Sequence, residues 1–280
     1  MNQRKVMLIV IDGCRPDGIA KTLTPNIDSM VQDGAHSFSA ETVSPPLTLP
    51  AHFSIFSSRQ PVNHNVLTNT GRPDISPDTF TVFEAARYNR LSTAAYYSWE
   101  QLRNLTPPGV LDQSIMERTL GLPLEPQDLR FIKMVTPSIV RTAPDLCFVY
   151  LEGVDAAGHK HGWMSNEYLT AISNADKALG FLLGTLEDIG LKNSYNVMVF
   201  SDHGGVDTHH MDPLPEVLTI PWIAAGPDIA QGIVLDKDIT VLDIAPTAAA
   251  LLQIPSHWSW EGRVVSEMFV HKEKIECLCR

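Results

Sequence analysis

The sequence predicts an α/β domain built on a mostly parallel central sheet. Short apolar runs rich in Val, Ile, Phe and Tyr recur at residues 5–11, 92–97, 145–151, 195–201 and 220–225, and helix-like stretches separate most of them. The length, 280 residues, suits one such domain with an insertion better than two independent ones. We therefore expect a single domain over residues 1–280, with residues 72–141 contributing a small cap or insertion.

The first run, Val6 to Ile11, is too short for a signal peptide or a membrane span and reads as a buried strand. No later run reaches transmembrane length, so the expectation is a cytoplasmic chain with no membrane partner; an export segment lying upstream is the alternative. Between Gln101 and Pro126, prolines and short apolar clusters give no clean period, which marks the segment as the candidate cap. From Asn166 to Gly190, Leu169, Ile172, Ala175, Leu179 and Leu182 recur at helical spacing, and Gly190 ends the pattern as a C-cap residue. Another helix is expected after Asp243. A dinucleotide-binding fold shares the alternation of strands and helices. Here, however, the first strand is followed by Asp-Gly-Cys-Arg-Pro-Asp-Gly and not by the Gly-x-Gly-x-x-Gly turn.

Hydrophobic residues make up 44% of the chain and charged residues 19%, an ordinary globular composition. The net charge is −11 and the basic residues are scattered, so no phosphate-tracking nucleic-acid surface is expected. Four cysteines, Cys14, Cys147, Cys277 and Cys279, are read as reduced thiols, and the terminal Cys-Leu-Cys is left outside any site.

Ligands of open parallel sheets gather at the carboxyl ends of the strands. The first run ends at Asp12, the third continues through Glu152 to Asp155 and His159, and the fourth ends Ser201-Asp202-His203-Gly204-Gly205. Thr208-His209-His210 follows within one short loop. A single Asp12 would be a turn or cap residue. Aspartate and histidine converging from several strand ends instead offer the mixed oxygen and nitrogen donors that zinc, manganese or iron take.

In order and wording these motifs resemble the alkaline phosphatase superfamily, most closely its nucleotide pyrophosphatase/phosphodiesterase-like branch. The resemblance runs almost end to end: VIDGCRPD, PPLTLPAHFS, PVNHNVLTN, EGVDAAGHKHG, SDHGG, TIPWIAAGP and EGR. It implies a three-layer α/β/α sandwich and two divalent metal ions, Zn2+ in the first place with Mn2+ as the alternative. One ion would be held by Asp155, His159 and the histidine after SDHGG, the other by Asp12, Asp202 and His203. Thr48 falls at the nucleophile position, also touching the second metal, and Asn69 at that of an amide binding a phosphate oxygen. Adjacent His209 and His210 both qualify as the last ligand; counting back from TIPW selects His210. His52, His64 and His161 are read as supporting or surface groups.

A threonine hydroxyl is a poor nucleophile at its free pKa, and a divalent cation can stabilise the alkoxide in place of a general base. By itself Thr48 reads as a turn or N-cap residue before Pro50, a position that also aims the positive end of a helix at an anion. The expected activity is therefore hydrolysis of a small phosphate ester or nucleotide-like substrate, as a phosphodiesterase or pyrophosphatase. A phosphomonoesterase or phosphonate hydrolase on the same core is the rival, and a non-catalytic phospho-ligand-binding protein the alternative of another class. Ala51 stands where diesterases of the family often carry asparagine, and Thr48-Leu-Pro-Ala-His does not fit a sulfatase nucleophile motif. Tyr96, Tyr97 and Trp99 are read as core and cap packing, with nucleobase stacking as their alternative. Oligomeric state is left open.

Overall fold

The computed structural model describes residues 4–70, 73–118, 126–235 and 238–271. Eight strands form one sheet: β1 (Lys5–Ile11), β2 (Gly34–Glu41), β3 (Thr93–Tyr97), β4 (Gln113–Met116), β5 (Leu146–Leu151), β6 (Tyr195–Phe200), β7 (Thr219–Ala225) and β8 (Ile233–Val234). The helices are α1 (Pro16–Ala20), α2 (Pro25–Asp33), α3 (Thr48–Ser57), α4 (Pro61–His64), α5 (Val82–Tyr88), α6 (Gln127–Thr142), α7 (Gly153–His161), α8 (Asn166–Asp188), α9 (Pro215–Leu218) and α10 (Ile244–Leu251). The strand order is β4-β3-β5-β1-β6-β7-β2-β8.

The sheet interior follows from the apolar runs. Residues of β1, β5 and β6 are buried on both faces, as continuous Val/Ile/Leu/Phe strands require. Leu8 and Val10 pack with α3, α5 and α10, while Met7, Ile9 and Ile11 pack with α2, α6 and α8, giving the three layers. Each fully buried apolar side chain contributes about 1.5–3 kcal/mol, so the two apolar faces hold the sheet and free its end for polar residues. The helix expected from Asn166 is α8, opened by the Ser165 side chain accepting from the Tyr168 N–H. Gly190 stands just beyond it at φ 74°, and the helix expected after Asp243 is α10.

β1 runs parallel to both β5 and β6, which brings their three carboxyl ends side by side. The run at 220–225 departs from a parallel strand: β7 is antiparallel to β6 and to β2. The loop of residues 201–218 carries only the short α9 and makes no crossover, so β7 returns directly along β6. Its amino end therefore meets the carboxyl ends of β1 and β6. Within 73–118 and 126–141, β3 and β4 extend the sheet, and α5 and α6 pack on its two faces. Tyr96 and Tyr97 are buried in β3, with their hydroxyls bonded to Gln113 and Ser114 of β4. Cys14 and Cys147 are buried free thiols, whereas Cys277 and Cys279 lie outside the described residues. No described helix is long and apolar enough to cross a membrane.

Candidate functional site

Asp12 directly follows β1, and its buried carboxylate accepts a hydrogen bond from the Tyr150 hydroxyl at the end of β5. Gly13 comes next at φ 67°, in the left-handed region, with its N–H 3.3 Å from Asp202 Oδ1. A side chain there would also press on Asp155 at 3.1 Å, so the turn demands glycine twice over. From the end of β6 come Asp202 and His203, both fully buried. His203 Nε2 is 3.2 Å from Asp12 Oδ1 and 3.5 Å from Asp202 Oδ2.

The remaining groups arrive on α7 and the loop behind it. Asp155 and His159 are one helical turn apart on α7, with Oδ1 and Nε2 separated by 3.5 Å. A tight turn joined by paired Val206–His209 backbone hydrogen bonds, with Asp207 at φ 50°, points His209 to solvent and His210 inward. His210 Nε2 lies 3.9 Å from Asp155 Oδ1, and its ring stacks on that of His203 at 3.7 Å between centroids. The structure thus selects His210 over His209 as the residue facing Asp155.

Two groups result, Asp155–His159–His210 and Asp12–Asp202–His203, each with its candidate ligand atoms within 4.8 Å of one another. The three imidazoles share one arrangement: Nδ1 meets the carbonyl oxygen of Thr208 for His159, Gly204 for His203 and Pro46 for His210, at 2.8–2.9 Å. A carbonyl only accepts, so each Nδ1 carries a proton and Nε2 is the nitrogen turned to the aspartates, the one left to bind a metal.

The electrostatics agree. Burial, then the Asp202 and Asp155 charges, push the Asp12 carboxyl well up. Burial likewise raises Asp155 to about 7, with the Asp202 and Glu152 charges adding to it against the opposing pull of His203. For Asp202, burial raises the carboxyl but is outweighed by His203 and His52, which bring it below the usual carboxylate range. Burial and the adjacent His203 lower His210 to about 3, which keeps its ring neutral. Asp12 Oδ1, Asp155 Oδ1 and Asp202 Oδ2 are buried without a hydrogen-bond donor. Clustered, donor-less carboxylate oxygens are costly unless a cation compensates them, so these donors fit divalent metals.

Thr48 begins α3, a helix buried over its whole length. Its Oγ1 is 3.3 Å from His203 Nε2, and the helix amino end opens toward the Asp12–Asp202–His203 group. Asn69 Oδ1 accepts the Leu49 N–H at 2.9 Å, which anchors the amide beside the first turn of α3 and turns its NH2 away from that bond. Buried His64 fixes the approach to Asn69, accepting from the Val66 N–H and bonding Ser54 on α3. His52 is buried on α3, its Nδ1 at 2.7 Å from the Thr48 carbonyl and 3.6 Å from Asp202, while His161 is exposed. Tyr150 and Trp163, which sequence reasoning did not single out, both touch the site. The only sequence signal for Tyr150 is a polar-tipped aromatic at the end of an apolar run.

Rat ectonucleotide pyrophosphatase/phosphodiesterase family member 1 is 26% identical over 215 residues, covering 71% of this chain and 24% of its own length. The chain spans about a quarter of the length of such curated relatives. Murine ectonucleotide pyrophosphatase/phosphodiesterase 5, in an inactive form in complex with AMP, superposes with a TM-score of 0.78 at 16% identity, covering 95% of this chain and 100% of that one. A phosphonate monoester hydrolase from Silicibacter pomeroyi gives 0.73 at 15% identity, with 94% and 76% covered. At such identities these two structures show the shared alkaline-phosphatase-like fold. Residues 6–99 and 81–253 match the family described as type I phosphodiesterase / nucleotide pyrophosphatase, and the chain belongs to that family.

Proposed function

We propose that this chain hydrolyses phosphate esters with Thr48 as nucleophile, at a site for two divalent cations. Asp155, His159 and His210 would hold one ion, and Asp12, Asp202 and His203 the other. The observation that carries the proposal is the placement of Thr48 Oγ1 at 3.3 Å from His203 Nε2, at the head of a buried helix and beside two Asp/His groups. Carboxylates and imidazoles in these proportions favour Zn2+, with Mn2+ as the alternative.

When bound, the cations supply positive charge that stabilises the Thr48 alkoxide and the oxygens of the phosphoryl group. Thr48 Oγ gives up its proton to solvent and attacks phosphorus in line, its P–O bond forming as the bond to the leaving oxygen breaks; the leaving alkoxide takes up a proton from solvent, and Thr48 carries the phosphoryl group. The Asn69 NH2 and the amino end of α3 donate toward the non-bridging oxygens. Water then attacks phosphorus opposite Thr48, and the threonine oxygen leaves with a proton. The named relatives support a nucleotide-like diester or pyrophosphate substrate, and the shared fold of a phosphonate monoester hydrolase keeps monoesters and phosphonates as the second reading.

The test is a panel of bis-p-nitrophenyl phosphate, p-nitrophenyl phosphate and a phosphonate ester, run on the wild type and on Thr48→Ala. The variant is expected to keep its bound metals and to lose about three orders of magnitude or more in kcat. A wild type preferring the monoester reverses the substrate order. Two bound metals with no hydrolysis across the panel identify a phospho-ligand-binding protein instead.

A further inference from the structure

We infer that Trp163 is the positioning residue of the Asp155–His159–His210 group: its indole is a wall that sets the two histidine rings and links this group to the other one. The inference rests on the metal-site proposal and deepens it.

The indole is 7% exposed and sits where three motif segments converge. Its Nε1–H donates to the Gly13 carbonyl at 2.9 Å. A Cβ at Gly158 would meet Cε2 of the indole at 2.6 Å, and one at Gly205 would meet it at 2.2 Å. Those two glycines, one in α7 and one behind His203, therefore leave the space the ring fills. The backbone N–H of Trp163 donates to the Asp207 carbonyl at 2.7 Å, and Gly162 at φ 91° allows the turn that delivers the residue there. So Trp163 is fixed at both its backbone and its ring tip.

What the ring touches gives the role. His159 meets the indole edge-on at 5.1 Å between centroids and 82°, and His210 does so at 5.9 Å and 64°. Such edge contacts bias a ring that its Nδ1 hydrogen bond alone leaves free to swing. The bias matters most for this group, because the His159 side chain is 46% exposed whereas those of Asp12, Asp202 and His203 are 0–1% exposed. The buried group is held by packing on all sides; the open one has the indole. Gly13 completes the link, since its N–H bonds Asp202 while its carbonyl takes both the Trp163 N–H and the Tyr168 hydroxyl.

The test is calorimetric titration of the metal-free protein with Co2+, together with the visible absorption of bound Co2+. Wild type is expected to take two equivalents. Trp163→Ala should bind one equivalent as wild type does and the other about tenfold or more weakly, with a changed absorption band for the weakened site. Trp163→Phe, which keeps a ring but loses the N–H, should fall between them, and Gly158→Ala, which displaces the indole without removing it, should weaken the same equivalent. The phenylalanine and glycine variants carry the test if the alanine variant does not fold. Two equivalents bound with unchanged affinity and spectrum in the Trp163 and Gly158 variants overturn the inference and leave the metal proposal standing. A wild type that takes up no Co2+ overturns both.

Discussion

At the scale of single residues the site is decided by which way a side chain turns. His209 and His210 are neighbours of identical chemistry, and only the two-residue turn at Asp207 and Thr208 separates them into one exposed ring and one buried beside Asp155. Substituting His210 by alanine is therefore expected to lower kcat/KM by about a hundredfold or more, with His209→Ala within a factor of about two of wild type. Equal losses in the two variants would refute the assignment. Most of the site's residues were legible in the sequence because aspartate and histidine follow the apolar runs and the motifs fall in a specific order. Tyr150 and Trp163 were not, because their roles lie in contacts with Asp12 and Gly13, far away along the chain.

Among elements, α7 illustrates a support that no local pattern announces. Its N-cap position is Glu152, whose side chain makes no capping bond; the acceptor comes from α6, where Asp128 Oδ1 takes the Gly153 N–H at 3.0 Å. Burial, reinforced by the Glu152 charge and opposed by these backbone donors, raises the Asp128 carboxyl to about 7 from an ordinary 3.8. Across that interval the folded protein binds the proton and the unfolded chain does not. Stability is thus highest below the ordinary value and is lost as pH rises toward about 7, at up to about 1.4 kcal/mol per pH unit. Urea unfolding of the wild type and of Asp128→Asn from pH 4 to 8 should show a flatter profile in the variant; parallel profiles would exclude Asp128 as the source. α6 itself was hard to read because Pro137 interrupts its pattern, and β2 because Gly-Ala-His-Ser-Phe-Ser-Ala-Glu is half polar. α8 was legible because its apolar positions keep the helical period over 23 residues.

For the molecule as a whole, the alternation of strands and helices announced the parallel centre, and the family resemblance implied the three layers. The direction of β7 and the edge strands β4 and β8 did not follow, since pairing partners are set by tertiary packing and β8 has only two residues. Cations held at the proposed site would act on the entire fold by mass action, because the candidate ligands converge only when it is formed. A chelator is expected to lower the melting temperature by several degrees and abolish hydrolysis, and Zn2+ or Mn2+ to restore both. An unchanged melting temperature after demonstrated metal removal would contradict that coupling. The strand order has a further consequence for how the protein is made. β1 is synthesised before both its neighbours, β5 and β6, which lie some 140 and 190 positions further on. Its edges must stay unpaired until those segments emerge, a slow and aggregation-exposed route in which the proposed site is completed only with the still later segment that carries His210.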